Sequence, residues 1–148
     1  MTLILPECIT GFSYSDCPAP GSDIETFENI CLDFASRQGG ICFFILGDGI
    51  TPNYEQANIR IGERTIYVLL SHLYPVIGIS KLEPFQYEYI DVPELTDLFP
   101  DTYQIPSAAE LNERFDLSLQ PFLSEVDRMH IGYWNPKTIG NVIFHYWD

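Results

Sequence analysis

Between Ser22 and Leu46 the sequence SDIETFENICLDFASRQGGICFFIL changes its hydrophobic period from helical to strand at a double glycine. Ile24, Phe27, Ile30, Cys31, Phe34 and Ala35 recur at the spacing of one helix face. Ser22-Asp23 offers an N-cap, and Glu25 places negative charge in the first turn, where the helix dipole favours it. Gly39-Gly40 stops the helix. Ile41 to Leu46 is then wholly apolar and ends at Gly47-Asp48-Gly49. Its length and its β-branched and aromatic content predict a central strand covered on both faces.

Downstream, the pattern reads as a sheet. Ala57 to Ile61 alternates apolar and polar residues, Gly62-Glu63 turns, and Thr65 to Leu70 is a second apolar run. Val76 to Ile79 and Phe85 to Val92 are two further strands, with Phe85, Tyr87, Tyr89 and Asp91 sharing a face by period two. Pro93 ends the last of these and starts one or two helical turns. Ser107-Ala108-Ala109-Glu110 is a capping box that opens a helix to about Phe115. A third helix, from Leu119 or Gln120 to Met129, places Phe122, Leu123, Val126 and Met129 on one face. At the other end, residues 1–21 contain three prolines and two glycines and read as a short strand followed by an irregular arm. The 148 residues suit one domain. The expected architecture is a single α/β or α+β domain over residues 1–148. It has a central, mostly antiparallel sheet of about five strands and about three helices.

Composition bounds the function. Apolar residues are 46% of the chain, ample for a core, and 21 acids outweigh seven bases to give a net charge of -14. Such a charge repels nucleic acid and anionic membranes and favours a cationic protein partner, though it also serves solubility alone. No apolar stretch approaches the length of a membrane span. The start, Met1 to Glu7, lacks a basic segment and breaks its apolar run at Pro6, unlike a signal peptide. Cys8, Cys17, Cys31 and Cys42 match neither a zinc ribbon nor a CxxC pair. Cys31 and Cys42 read as buried thiols, a Cys8–Cys17 disulfide stays open, and the default compartment is the cytoplasm.

Motifs for catalysis and cofactors are missing: there is no GxSxG, P-loop, GxGxxG or HExxH. Gly47-Asp48-Gly49 lacks the lysine and further glycine of a phosphate loop and reads as a turn. His72, His130 and His145 share no ligand spacing, so no metal and no cofactor are expected. A small hydrolase using carboxylates, alone or with His72 or His130, is an alternative, because such sites are assembled in three dimensions.

The acids are unevenly placed. From Glu83 to Asp116 there are nine, with Arg114 the only base, so this segment carries more than half of the net charge. Phe85, Tyr87, Tyr89, Phe99, Tyr103 and Phe115 are mixed among them. Phe99 and Phe115 read as core. Tyr87, Tyr89 and Tyr103 fit either core or surface; with Glu88, Asp91, Glu94, Asp97 and Asp101 they form the candidate partner-binding set. Aromatics would anchor and carboxylates would steer a basic partner.

The segment from Tyr133 to Asp148 is the most distinctive. Pro136 is preorganised for a bend or a first helical turn, Gly140 permits close backbone approach, and Val142-Ile143-Phe144 is a buried run. Trp134 and Trp147 must each place a large ring, so the segment is expected to dock into the fold. Its pattern, W-x-P-K-x-x-G-x-V-I-F-x-x-W-D, resembles the tails of small bacterial immunity proteins of polymorphic or contact-dependent-inhibition toxin systems, with His145 where the family usually has Asn. The resemblance covers these sixteen residues only. It implies a cytoplasmic, non-enzymatic protein that neutralises a cognate toxin domain, commonly a basic nuclease, and it assigns no binding residues. An acidic interaction or DNA-mimic module outside any toxin system is the main alternative.

Overall fold

Asp23 opens the first helix, α1 (Ile24–Arg37), by accepting a hydrogen bond from the Thr26 N–H at 3.0 Å, in a computed structural model that describes residues 2–12, 19–45, 52–82, 87–145 and 147. The helix buries Phe27, Cys31, Phe34 and Ala35, the face that its apolar period predicts. Gly39 sits at φ +71°, which a side chain disfavours, and the Gly40 N–H returns to the Ala35 carbonyl at 2.8 Å. An added Cβ on Gly40 would overlap the Arg60 carbonyl oxygen, so the second glycine also lets the chain press against the sheet.

The sheet is antiparallel, with order β1 (Ile41–Ile45), β2 (Tyr54–Ile61), β3 (Arg64–Ser71) and β4 (Ile77–Ser80). Its register aligns Cys42 with Ile59, Ala57 with Val68, and Val68 with Ile79. β1 is therefore an edge strand and not the central, doubly covered strand that its apolar run suggests. Cys42 and Phe44 turn toward α1, while Ile41, Phe43 and Ile45 are 61%, 51% and 45% exposed. Leu46 and Gly47-Asp48-Gly49 lie outside the described residues.

Two cores flank the sheet. Ala57, Ile59, Ile66, Val68, Leu70, Ile77 and Ile79 pack on α1, joined by Val92, Leu95, Phe99 and Tyr103. Tyr54 and Leu69 point the other way by the period-two rule. They pack with Leu5, Ile9, Tyr89, Leu111, Ile131, Val142, Phe144 and Trp147. The result is an α+β domain with four strands and five α-helices among the described residues, against the expected five and three.

The expected fifth strand is replaced by an irregular segment. Residues 85 and 86 lie outside the described set, and Tyr87–Val92 runs beside β4 with one bridge, Ser80 to Tyr89. The Asn112 side chain holds the edge of this segment that faces away from β4. It accepts from the Tyr89 N–H at 3.0 Å and donates to the Tyr89 carbonyl at 2.8 Å, standing in for a neighbouring strand.

Helices α2 (Pro93–Thr96) and α3 (Ala108–Asn112) start where Pro93 and the Ser107–Glu110 capping box predict, although α3 stops short of Phe115. A 3-10 turn at Leu117–Leu119 precedes α4 (Glu125–Trp134). That helix begins later than expected because a second capping box, Ser124 with Asp127, fixes its start. Leu123 and Val126 are buried as expected, but Phe122 and Met129 are 63% and 52% exposed. The tail adds a fifth helix, α5 (Ile139–Ile143), capped by Thr138. Gly140 does permit close approach, since a Cβ there would lie 2.6 Å from Cζ of Tyr89.

Residues 2–12 form no strand. They are an irregular arm plugged into the second core through Leu5, Cys8, Ile9 and Thr10, all buried. The Leu5 N–H donates to Gln120 Oε1 at 2.8 Å, and Gln120 Nε2 donates to the Leu3 carbonyl at 2.9 Å. The buried Asp127 carboxylate accepts from the N–H of Cys8 at 2.9 Å, the N–H of Ser124 at 3.0 Å and the Thr10 hydroxyl. Cys8 is disulfide-bonded; the pairing left open with Cys17 falls on a residue outside the described set. Cys31 and Cys42 are free thiols, and burial pushes Cys42 up to about 11, with Glu28 adding to the shift.

Asp127→Asn keeps the shape but sets an NH2 group against donors, so it should cost roughly 2–3 kcal/mol. Urea unfolding followed by circular dichroism checks this; an unchanged midpoint would show that the arm is held by packing alone.

Candidate functional site

The acidic segment folds into a cleft of about 560 Å³. Its apolar floor comes from Ile79, Ile90, Val92, Phe99 and Ile105, and its rim carries Asp91, Asp97, Asp101 and Glu110. Several short-range contacts hold the walls. The Gln104 carbonyl accepts from the Ile77 N–H at 2.9 Å, and the Gln104 N–H donates to Pro75 at 2.7 Å, which ties the 97–106 loop to β4. Tyr103 packs edge-on to Phe99 at 5.2 Å and donates its hydroxyl to the Asp23 carbonyl at 2.7 Å.

The four acids are not equivalent. Asp91 accepts from the Ala108 N–H at 2.8 Å and so helps to start α3. Glu110 completes the capping box by accepting from the Ser107 N–H at 2.9 Å. The side chains of Asp97 and Asp101 are exposed and make no hydrogen bond or ion pair among the described residues. Their charge is directed at solvent. Of the expected set, Asp91, Asp97, Asp101 and Tyr103 thus line one cleft, and Glu110, expected only as a capping residue, joins them. The capping box was its signal. Glu94 is exposed in the first turn of α2 and off the cleft, and Glu88 pairs with Lys81 at 2.5 Å.

Of the three tyrosines that fit either core or surface, two fall in the core. Tyr89 and Tyr103 are 2% and 7% exposed and belong to the second and first cores respectively, with Tyr103 also lining the cleft. Burial pushes both phenols up. Tyr87 is half-buried, and its hydroxyl hydrogen-bonds with that of Tyr54 at 2.5 Å and donates to Gln56 Oε1 at 3.3 Å.

A second concavity, of about 250 Å³, is lined by Tyr87, Trp134, Pro136, Asn141, Phe144, His145 and Trp147. No sequence motif announces it, because α5 reverses the chain to bring the two tryptophans together. Their rings are parallel with centroids 6.3 Å apart. His145 stacks on Trp147 at 4.1 Å, and Phe12 stacks on both His145 and His130. His145 has a fixed tautomer: Nε2 donates to the Thr10 carbonyl at 2.7 Å, and Nδ1 accepts from the Trp147 N–H at 3.2 Å.

His72 and Glu55 form a close pair with side chains 11% and 5% exposed, and neither lines the cleft or the aromatic pocket. His72 Nδ1 is buried with no hydrogen-bond partner among the described residues. No group of three His, Cys, Asp or Glu among those residues is placed to hold a metal ion. No helix there is long and apolar enough to cross a membrane.

Burial lowers His145 from its ordinary 6.5 to about 4, with nearby His130 adding to the shift and the bond to Thr10 opposing it. The unfolded chain therefore binds the proton first on acidification, and stability falls as pH drops from 6.5 toward 4. The full gap is worth up to roughly 3 kcal/mol. Between pH 6.5 and 5 the wild type should lose about 1–2 kcal/mol more than His145→Gln in urea unfolding. An NMR titration placing the ring near its ordinary value would refute this.

No family model matches the sequence, and no curated protein or solved structure matches it either.

Proposed function

We propose that the protein is an immunity protein that neutralises a basic toxin domain, in keeping with a nuclease, by laying its acidic cleft over the toxin. The observation that carries this reading is the convergence of Asp91, Asp97, Asp101 and Glu110, from four separate turns and helices, on one concave surface with an apolar floor. The tail resemblance supplies the kind of partner. In this reading carboxylates occupy positions where substrate phosphates would sit on the toxin, and the protein performs no chemistry of its own. It acts in the cytoplasm of the cell it protects. The net charge of -14 speeds encounter, and desolvated apolar contacts at the cleft floor slow release.

Nanomolar or tighter binding to a toxin domain encoded immediately upstream is expected, with an on-rate that falls as salt rises. Asp97→Lys with Asp101→Lys is the sharpest probe, because these two carboxylates have no role in the described fold. The double variant should keep its stability to within about 0.5 kcal/mol while the association rate drops tenfold or more. Undiminished binding by the double variant, measured by surface plasmon resonance, would remove the cleft from the interface. Failure of any upstream toxin to bind the wild type would remove the immunity reading itself.

A further inference from the structure

We propose that the protein forms a two-fold symmetric dimer by pairing β1 antiparallel with β1 of a second copy, joining the two sheets into one. β1 is an edge of the sheet: its five residues pair with β2 without a bulge, and its other side meets no strand among the described residues. Ile41, Phe43 and Ile45 are each at least 45% exposed, so the strand presents apolar side chains to solvent on the face away from α1. Edge strands are ordinarily protected by a charge, a proline or a bulge, and Ile41-Cys42-Phe43-Phe44-Ile45 has none of these.

The strand is complementary to itself. With the two-fold axis at Phe43, this ring stands opposite its own counterpart, and Ile41 stands opposite Ile45 of the second copy. All the exposed β1 side chains of both copies then meet on one face, as the aromatic and β-branched cross-strand pairs that stabilise antiparallel sheets. Charge selects a second copy over a basic partner. β1 carries no charge, and the β2 residues beside Ile41, Phe43 and Ile45 are Arg60, Asn58 and Gln56, none of them acidic. The cleft acids gather beside β4, three strand spacings or roughly 14 Å away, beyond the screening length of about 8 Å at physiological salt. Pairing through β1 therefore joins neutral edges and leaves both acidic clefts open. The opposite edge is already taken, since the Ile90 N–H donates to the Ile79 carbonyl at 2.8 Å and the Ile77 N–H to the Gln104 carbonyl at 2.9 Å. One free edge per chain closes at a dimer and builds no fibre. Nothing in this inference depends on the immunity reading.

Five residues a side make a small interface, so sedimentation velocity of the full chain should show a reversible monomer–dimer equilibrium in the micromolar range. Phe43→Lys sets two like charges face to face on the axis and should weaken dimerisation at least about tenfold. Phe43 lies outside both cores, so the urea midpoint of this variant should stay at the wild-type value. In the wild type, the β1 amides that point away from β2 should exchange hydrogen more slowly as concentration rises. A chain that stays monomeric throughout would overturn the proposal, as would a dimer indifferent to Phe43→Lys or an open series of larger oligomers. If the Phe43 variant fails to fold, the wild-type exchange data decide, because exchange in β1 that ignores concentration refutes the pairing.

Discussion

The second core depends on one buried carboxylate. Asp127 is fully inaccessible, and it accepts from the backbone of Cys8, the hydroxyl of Thr10 and the backbone of Ser124, while its own N–H donates to the Ser124 hydroxyl at 3.0 Å. One side chain therefore both starts α4 and fastens a distant arm to it. A polar group so far from water is tolerable only because its oxygens find hydrogen-bond donors. The arm in turn places Leu5 and Ile9 in the core and brings the Thr10 carbonyl to His145. Cys8 adopts a positive φ of 68° at this junction, a backbone cost that the Asp127 bond and the disulfide offset together.

Much of the first half was legible because its signals are local. The period of α1, its Asp23 cap and the double glycine act within a few residues of one another, and the structure places each where those signals predict. The hairpin of β2 and β3 is legible for the same reason. Position within the sheet is not local. An apolar run such as Ile41–Ile45 reads alike at the edge and at the centre, and only the pairing partners decide between them. The edge beyond Tyr89 is no more local, since the Asn112 amide takes over a backbone role there from 23 residues away. The late start of α4 was written in Ser124 and Asp127, but the apolar spacing from Leu119 to Met129 also fits a helix, and spacing outweighed the cap.

The candidate sites divide along the same line. Carboxylates are costly to bury, so an acidic segment is a dependable guide to surface, and three of the five chosen acids do meet around one cleft. Tyrosine offers no such guide. Its ring suits a core provided the hydroxyl finds a partner, as Tyr103 does with the Asp23 carbonyl, while the Tyr89 hydroxyl has none among the described residues. The two tryptophans differ in burial. Their size argued for a structural tail, which Trp147 satisfies, yet Trp134 stands partly exposed at the mouth of a pocket.

The two concavities are built on opposite faces of one sheet. The cleft floor belongs to the core beneath α1, with Ile79, Val92, Phe99 and Tyr103, whereas the aromatic pocket grows from the core under the arm, with Phe144 and Trp147. No flat partner surface reaches both. Only the segment beside β4 contributes to each, giving Tyr87 to the pocket and Ile90, Asp91 and Val92 to the cleft. A single partner engaging both must therefore wrap around this edge. Such a partner would cover the sheet margin where Asn112 already occupies the hydrogen bonds of Tyr89, leaving side chains rather than strand pairing to supply the contact.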